Sequence, residues 1–409
     1  MQQLNELTTR EKIFKGLNLG IPALMGLFIF LNPFPYTTAI KEICFYSSVV
    51  MILILACFRK LDFSFRSPLT IPFLLFALWA FIGLFFALDK ENSIHDYQMH
   101  LLKYMVFYYI LINYFHSRER LFYLSGIIIV SATLFSIGEI VYFYGILGHT
   151  LSTKLVTGLP EVAVNWVVII ALPAAIFSLH NIIAENRLHV KAVSVICLFS
   201  TFVICILTQA RSVVLALLLS VIILCFKNKK FLIVCLGIVL ILIAMTSIKD
   251  RFTEPDRTSV LRLGTYCITY EIIKDHPIMG IGFGMETYGN GKFINLEAYQ
   301  KRIPEKYRGN ILADPHSMLS SIAVRTGLIG LALFLYILFV PFWISWSCIR
   351  QGKDDFMNHW GRCVISAFVA ILVIGFFEPF FSHVPEVVFY TLLAMITIVW
   401  KLGDIRAVQ

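Results

Sequence analysis

Charge is scarce in this sequence. Of 409 residues, only 14% are Asp, Glu, Lys or Arg, while 58% are hydrophobic and mean hydropathy is +0.80. Soluble domains carry about 25% charged residues, so the scarcity excludes that class. Strict apolar–polar alternation is also missing, which excludes a transmembrane β-barrel. There is no HExxH, Walker loop, GxSxG elbow or carboxylate cluster, and no CxxC or His/Cys ligand spacing. The residues therefore point to no metal and no cofactor. Intramembrane carboxylates are few (Glu139, Glu378), so there is no acidic relay of the kind an ion-coupled transporter needs. Eight of the nine cysteines lie in apolar runs and only Cys267 in the main polar loop, which argues against a disulfide framework.

What the sequence has is apolar runs near 20 residues long, recurring along nearly its whole length. That is the signature of membrane-spanning helices, and the expected fold is an all-α polytopic membrane protein. Twelve spans can be drawn, at about 17–34, 40–58, 69–88, 101–115, 121–146, 162–179, 192–208, 212–226, 231–247, 317–347, 361–381 and 385–401. The first follows a basic segment, but Asn32, Pro33 and Pro35 come after it where a signal peptide would have a small-residue cleavage site. It reads as a retained helix.

The net charge of +9 is distributed by topology rather than gathered for nucleic acid. With the amino terminus in the cytoplasm, cytoplasmic segments hold 18 Lys and Arg and the short outer loops only five: Lys41, Lys90, Lys103, Lys154 and Arg211. This obeys the positive-inside rule and places both termini in the cytoplasm. Three regions follow: spans one to nine in 1–247, a large outer loop in 248–316, and spans ten to twelve with the carboxy terminus in 317–409. The loop carries ten basic residues, and long loops cross regardless of charge. Its stretch SVLRLGTYCITYEIIKD has helical periodicity (Leu261, Tyr266, Ile268, Ile272, Ile273), so the loop is expected to be ordered.

The residues suited to chemistry are basic and outer-facing. Arg211 follows Thr208-Gln209-Ala210 between two apolar runs. It is either an interfacial anchor with an apolar stem or a ligand for a phosphate or diphosphate, which a planar guanidinium fork suits. His316 follows Asp314-Pro315 where span ten opens. Helix capping or packing would explain it; so would a base, since the positive end of a helix favours a neutral imidazole. Arg257 and Arg262 precede the loop's helical pattern, which stops at His276-Pro277. Gly280-Ile-Gly-Phe-Gly284 lacks the strand context of a dinucleotide site and reads as tight turns. Gly327 and Gly330 read as close helix packing, and Arg325 as structural, paired to a carboxylate or snorkelling.

Three pieces in this order resemble the O-antigen ligase and polymerase superfamily. They are the arginine after TQA, the segment RLGTYCITYEIIKDHPIMGIGFG, and DPHSMLSSIAVRTGLIGLALF. The last resembles the family's His-Asn-x-x-Leu and Gly-x-x-Gly, with Ser317 at the asparagine position; Asn165 at the start of span six also fits. The resemblance covers roughly residues 200–340 and implies a GT-C type membrane glycosyltransferase at the periplasmic face of the bacterial inner membrane. Its donor would be a glycan on undecaprenyl diphosphate. In the ligase branch the acceptor would be lipid A–core oligosaccharide. By the match, Arg211, His316 and Arg262 are catalytic, with Arg257 an alternative to Arg262; Arg211, Arg262, Arg257, Gln209 and Asn165 would contact substrate. A polymerase, a protein O-oligosaccharyltransferase and a lipid-linked glycan transporter are the alternatives.

Overall fold

The computed structural model of the chain describes residues 9–151, 153–155, 159, 164–245, 257–351, 354–378 and 382–407. Among them the regular structure is helical: α1 (Thr9–Leu31), α2 (Thr38–Cys57), α3 (Thr70–Phe86), α4 (Lys90–Asp96), α5 (Lys103–Tyr114), α6 (Arg118–Ile140), α7 (Val164–Ala184), α8 (Leu188–Leu207), α9 (Arg211–Cys225) and α10 (Lys229–Met245). Then come α11 (Arg257–Asp275), α12 (Leu296–Arg302), α13 (Met318–Gln351), α14 (Asp355–Gly375) and α15 (His383–Ala407). A π-helical stretch, Tyr97–Leu102, joins α4 to α5.

Each of the twelve expected spans holds a helix. Eight helices among the described residues are long and apolar enough to cross a membrane: α1, α2, α6, α7, α8, α13, α14 and α15. Helices α3, α5, α9 and α10 are shorter, at 17, 12, 15 and 17 residues. Helices α7 and α14 are buried on nearly every side, as expected for the centre of a bundle. Helix α14 packs against α7, α9, α13 and α15. Its partner α9 turns Val213, Ala216, Leu217, Ser220, Val221 and Leu224 inward at helical spacing. The pair is registered by reciprocal bonds: Ser220 Oγ donates to Ser366 O (3.1 Å) and Ser366 Oγ to Ser220 O (2.6 Å).

From residue 257 onward the polar segment before α13 is ordered, as the periodicity of its helical stretch predicts. Helix α11 runs to Asp275 and ends before His276-Pro277. Ile268 and Ile272 join Ile281, Tyr288, Ile294, Ile303 and Val324 in a small core of their own. Burying each isoleucine contributes roughly 1.5–3 kcal/mol.

Helix α13 departs from the expectation that its glycines serve helix–helix packing. Gly327 has φ +70 and breaks the helix. A break frees carbonyls and amides that must find new partners, and the strap after Pro277 supplies them. Leu328 N donates to Pro277 O (2.8 Å), Ile281 N to Val324 O (2.9 Å) and Gly282 N to Arg325 O (3.1 Å). A Cβ on Gly327 would stand 1.9 Å from Ile278 O, and one on Gly280, also at positive φ, 2.5 Å from Val324 O. The glycine run is thus an extended strap docked into a helix break, rather than a set of tight turns.

Arg325 locks this joint. It is 2% exposed, its Nε donates to Phe283 O at 2.7 Å, and its guanidinium lies 4.3 Å from the Phe283 ring centre. The carboxylates of Asp96 and Glu386 are close enough to act on its charge. It is buried in the joint and does not snorkel. The strap is held on its other side by α4, where Asp96 Oδ2 accepts from Met285 N at 2.6 Å and Ser93 Oγ from Gly284 N at 3.1 Å.

Candidate active site

Helix α13 starts at Met318, one residue past the expected span start at 317, so His316 and Pro315 precede the helix. Ser317 O accepts the first intrahelical bond, from Ser321 N at 2.8 Å. His316 has φ 47, an unusual left-handed conformation for a residue with a Cβ. The turn is held by the Asp314 side chain, whose Oδ1 accepts from His316 N at 2.7 Å, and by Tyr266 of α11, whose hydroxyl donates to His316 O at 3.2 Å. The same hydroxyl is 3.5 Å from Phe376 O, just past the end of α14. Burial raises the Tyr266 pKa; Arg262 opposes the rise and Glu378 adds to it. The hydroxyl therefore keeps its proton and acts as a donor.

Glu378 is the residue that sequence reasoning missed. The apolar run of span eleven puts it inside the membrane, but α14 ends at Gly375 and Glu378 lies in the turn beyond it. Its Oε1 accepts from Arg262 Nη2 at 2.6 Å and its Oε2 is 3.7 Å from His316 Nδ1. Glu378 is 7% exposed, Arg262 31% and His316 24%. A buried carboxylate thus sits between two half-open basic side chains. His316 Nδ1 is buried without a hydrogen-bond partner, and its Nε2 is 3.5 Å from Asp314 Oδ2. The signal was present in the sequence: a lone acid, FFEPFF, in an apolar run.

These contacts join Arg262, Glu378, His316, Asp314 and Tyr266. Arg211 and Gln209 stand instead on the turn between α8 and α9. Arg211 is half-buried as the first residue of α9. Gln209, 9% exposed with φ 49, donates its backbone N–H to Ile206 O at 2.9 Å. The turn is braced by Leu155 N, which donates to Leu207 O at 3.0 Å. Asn165 and Arg257 fall at the starts of α7 and α11, but their side chains lie outside the described residues.

One trio of metal-ligand type occurs among the described residues: His100, His383 and Glu386, with ligand atoms within 4.8 Å of one another. No spacing rule could have found it, since His100 and Glu386 are 286 positions apart. His100 Nδ1 is hydrogen-bonded to Glu386 Oε2 at 2.7 Å, and the two imidazoles stack at 4.6 Å with 27° between planes. In-plane lone pairs of stacked rings do not converge on one ion, so this is a hydrogen-bonded cluster rather than a metal cage.

A bundle of membrane-length helices, with arginine, histidine and carboxylate meeting at one end, defines a multi-pass membrane protein with a polar, basic site. Residues 195–335, about a third of the chain, match the family described as O-antigen ligase. The match takes in Arg211, Arg262 and His316, while Glu378 lies beyond it. No curated protein matches the chain.

Proposed function

We propose that the protein is an O-antigen ligase, transferring a glycan from undecaprenyl diphosphate onto lipid A–core oligosaccharide at the periplasmic face of the inner membrane. The observation that carries this reading is the convergence of Arg262 and His316 on Glu378 at 2.6 and 3.7 Å, in a chain whose residues 195–335 match the ligase family. The helices of all twelve expected spans cross the bilayer in a GT-C type arrangement, with both termini cytoplasmic and 248–316 as the periplasmic loop. The asymmetry of Lys and Arg supports this orientation. Span alternation makes α9 and α14 antiparallel. From the Ser220–Ser366 contact, Arg211 and the end of α14 at Gly375 each lie roughly 14 Å along towards the same end, with Glu378 in the turn beyond.

In the reaction, the bond from the donor's anomeric carbon to the diphosphate oxygen breaks as the acceptor hydroxyl attacks from the opposite face, inverting the centre. The diphosphate leaves with the electron pair. Arg211 and Arg262 stabilise its growing charge as fixed forks, a role that removes about 10²–10³-fold in rate when one such donor is lost. Arg262 spends one of its five N–H groups on Glu378, leaving others for the ligand. His316 takes the acceptor proton on Nε2, and Glu378 beside Nδ1 stabilises the imidazolium. Gln209, Asn165 and Arg257 complete the donor-binding face. No metal takes part: purified protein should keep full activity in excess EDTA, and activity lost to chelator and restored by Mg²⁺ would contradict this.

Deleting the gene and separating the glycolipids on a gel tests the assignment. Loss of all long-chain lipopolysaccharide with accumulation of lipid-linked polymer supports the ligase. A core-plus-one-repeat band would instead make the protein a polymerase.

A further inference from the structure

A second feature lies at the other end of α13. From Leu328 to Trp343 the part of α13 beyond the break alone rises roughly 22 Å, so the groove beside Trp343 is far from His316. It has a volume of about 840 Å³, within the range of small-ligand sites, and is lined by Phe65, Arg66, Thr70, Phe339, Trp343 and Trp400 among others. Its walls are aromatic and open: Phe65 is 63% exposed, Phe339 62% and Trp343 50%.

The segment carrying Arg66 is not a loose loop. Ser64 N donates to Asn113 Oδ1 at 2.7 Å and Asn113 Nδ2 returns a bond to Ser64 O at 3.1 Å. Ser67 Oγ is 2.6 Å from Tyr108 Oη, which is itself 2.9 Å from Thr397 Oγ1 on α15. Arg66 is therefore held at the groove from both sides. Its backbone N–H meets Ser64 Oγ at 3.2 Å, while its exposed guanidinium makes no hydrogen bond or ion pair to the described residues. Arg59 and Lys60 lie in the same segment, on the basic side of the charge asymmetry.

We propose that this groove binds an anionic phospholipid of the cytoplasmic leaflet. Arg66 takes the headgroup phosphate, to which its planar fork is matched. The acyl chains lie against Phe339 and Phe65, and Trp343 and Trp400 sit at the headgroup level that such amphipathic rings prefer. Basic pockets between membrane helices on the cytoplasmic side hold anionic headgroups for the same electrostatic reason. The site is separate from the one proposed for transfer and needs no turnover to be observed.

The test uses the full chain, purified in neutral detergent and stripped of lipid, with phosphatidylglycerol or phosphatidylcholine of identical chains added back and retention read by native mass spectrometry. The wild type should hold phosphatidylglycerol about fivefold more tightly or better. Arg66→Gln should abolish that preference, Trp343→Ala should weaken both lipids, and Arg59→Gln should leave the preference intact. Equal retention of the two lipids by the wild type would overturn the proposal. So would an Arg66→Gln protein with undiminished preference, or a dimer that covers the groove and excludes lipid.

Discussion

Arg262 and Arg325 stand on the two helices that pack together around the α13 start, and they are used in opposite ways. Arg325 is 2% exposed and spent on the protein itself, bonding Phe283 O beneath the strap. Arg262 is 31% exposed and bonds one carboxylate, Glu378, that also faces His316. The difference teaches that a buried arginine in a membrane protein is no evidence of a ligand. What matters is whether its donors are already consumed by backbone or are offered to an open face. Arg325 builds the joint; Arg262 works at its rim.

Substitutions can break that contrast. Arg325→Ala carries the largest expected effect: it strands the Phe283 carbonyl and leaves Asp96 and Glu386 without their buried cation. Loss of one partner from such a group costs about 3–5 kcal/mol, read as a sharp fall in unfolding temperature and in the amount of folded protein in membranes. Arg262→Ala leaves the buried Glu378 carboxylate facing only His316. It should lower the unfolding temperature, but by less than Arg325→Ala because the pair is half-open on the arginine side, and lower transfer by about 10²–10³-fold. Arg262→Lys should remain impaired, because an ammonium cannot reproduce the fork. Destabilisation by Arg262→Ala as large as that by Arg325→Ala would erase the distinction between them. Gly327→Ala sharpens it from the backbone side. A Cβ there meets Ile278 O at positive φ, so the strap must shift, at about 1–3 kcal/mol, seen as faster hydrogen exchange at Ile281 and Gly282. The smallest effect belongs to the surface pair Arg302–Asp275, bonded at 2.6 Å. The Arg302 bond holds the Asp275 pKa below its ordinary value, so any stabilisation is present at neutral pH and is lost only as pH falls through that lowered value. Asp275→Asn should leave unfolding at pH 7 within error.

The helices were legible because each apolar run needs lipid or core around it, and α11 because Ile268 and Ile272 recur at helical spacing over a polar background. The two halves of the site were only half legible. Arg262 and His316 stand out as basic residues in or beside a polar segment, but Glu378 looks like a stray charge in a span. Only the end of α14 at Gly375 moves it to the rim. The break at Gly327 was hidden because Gly-x-x-Gly is also the pattern of close helix packing; its meaning depends on Pro277, fifty residues away. Arg325 reads as structural from the sequence, yet its hydrogen-bond partner is the Phe283 carbonyl, which no side-chain pattern reveals.

The proposed transfer depends on His316 acting as the base beside Glu378. The direct measurement is single-turnover transfer by purified His316→Ala protein, with binding of the undecaprenyl-diphosphate-linked donor measured in parallel. Transfer should fall by about 10²–10⁴-fold while donor binding survives, and Arg211→Ala should weaken binding itself. A folded His316→Ala protein that turns over at the wild-type rate would contradict the account and leave His316 as a residue of the helix start.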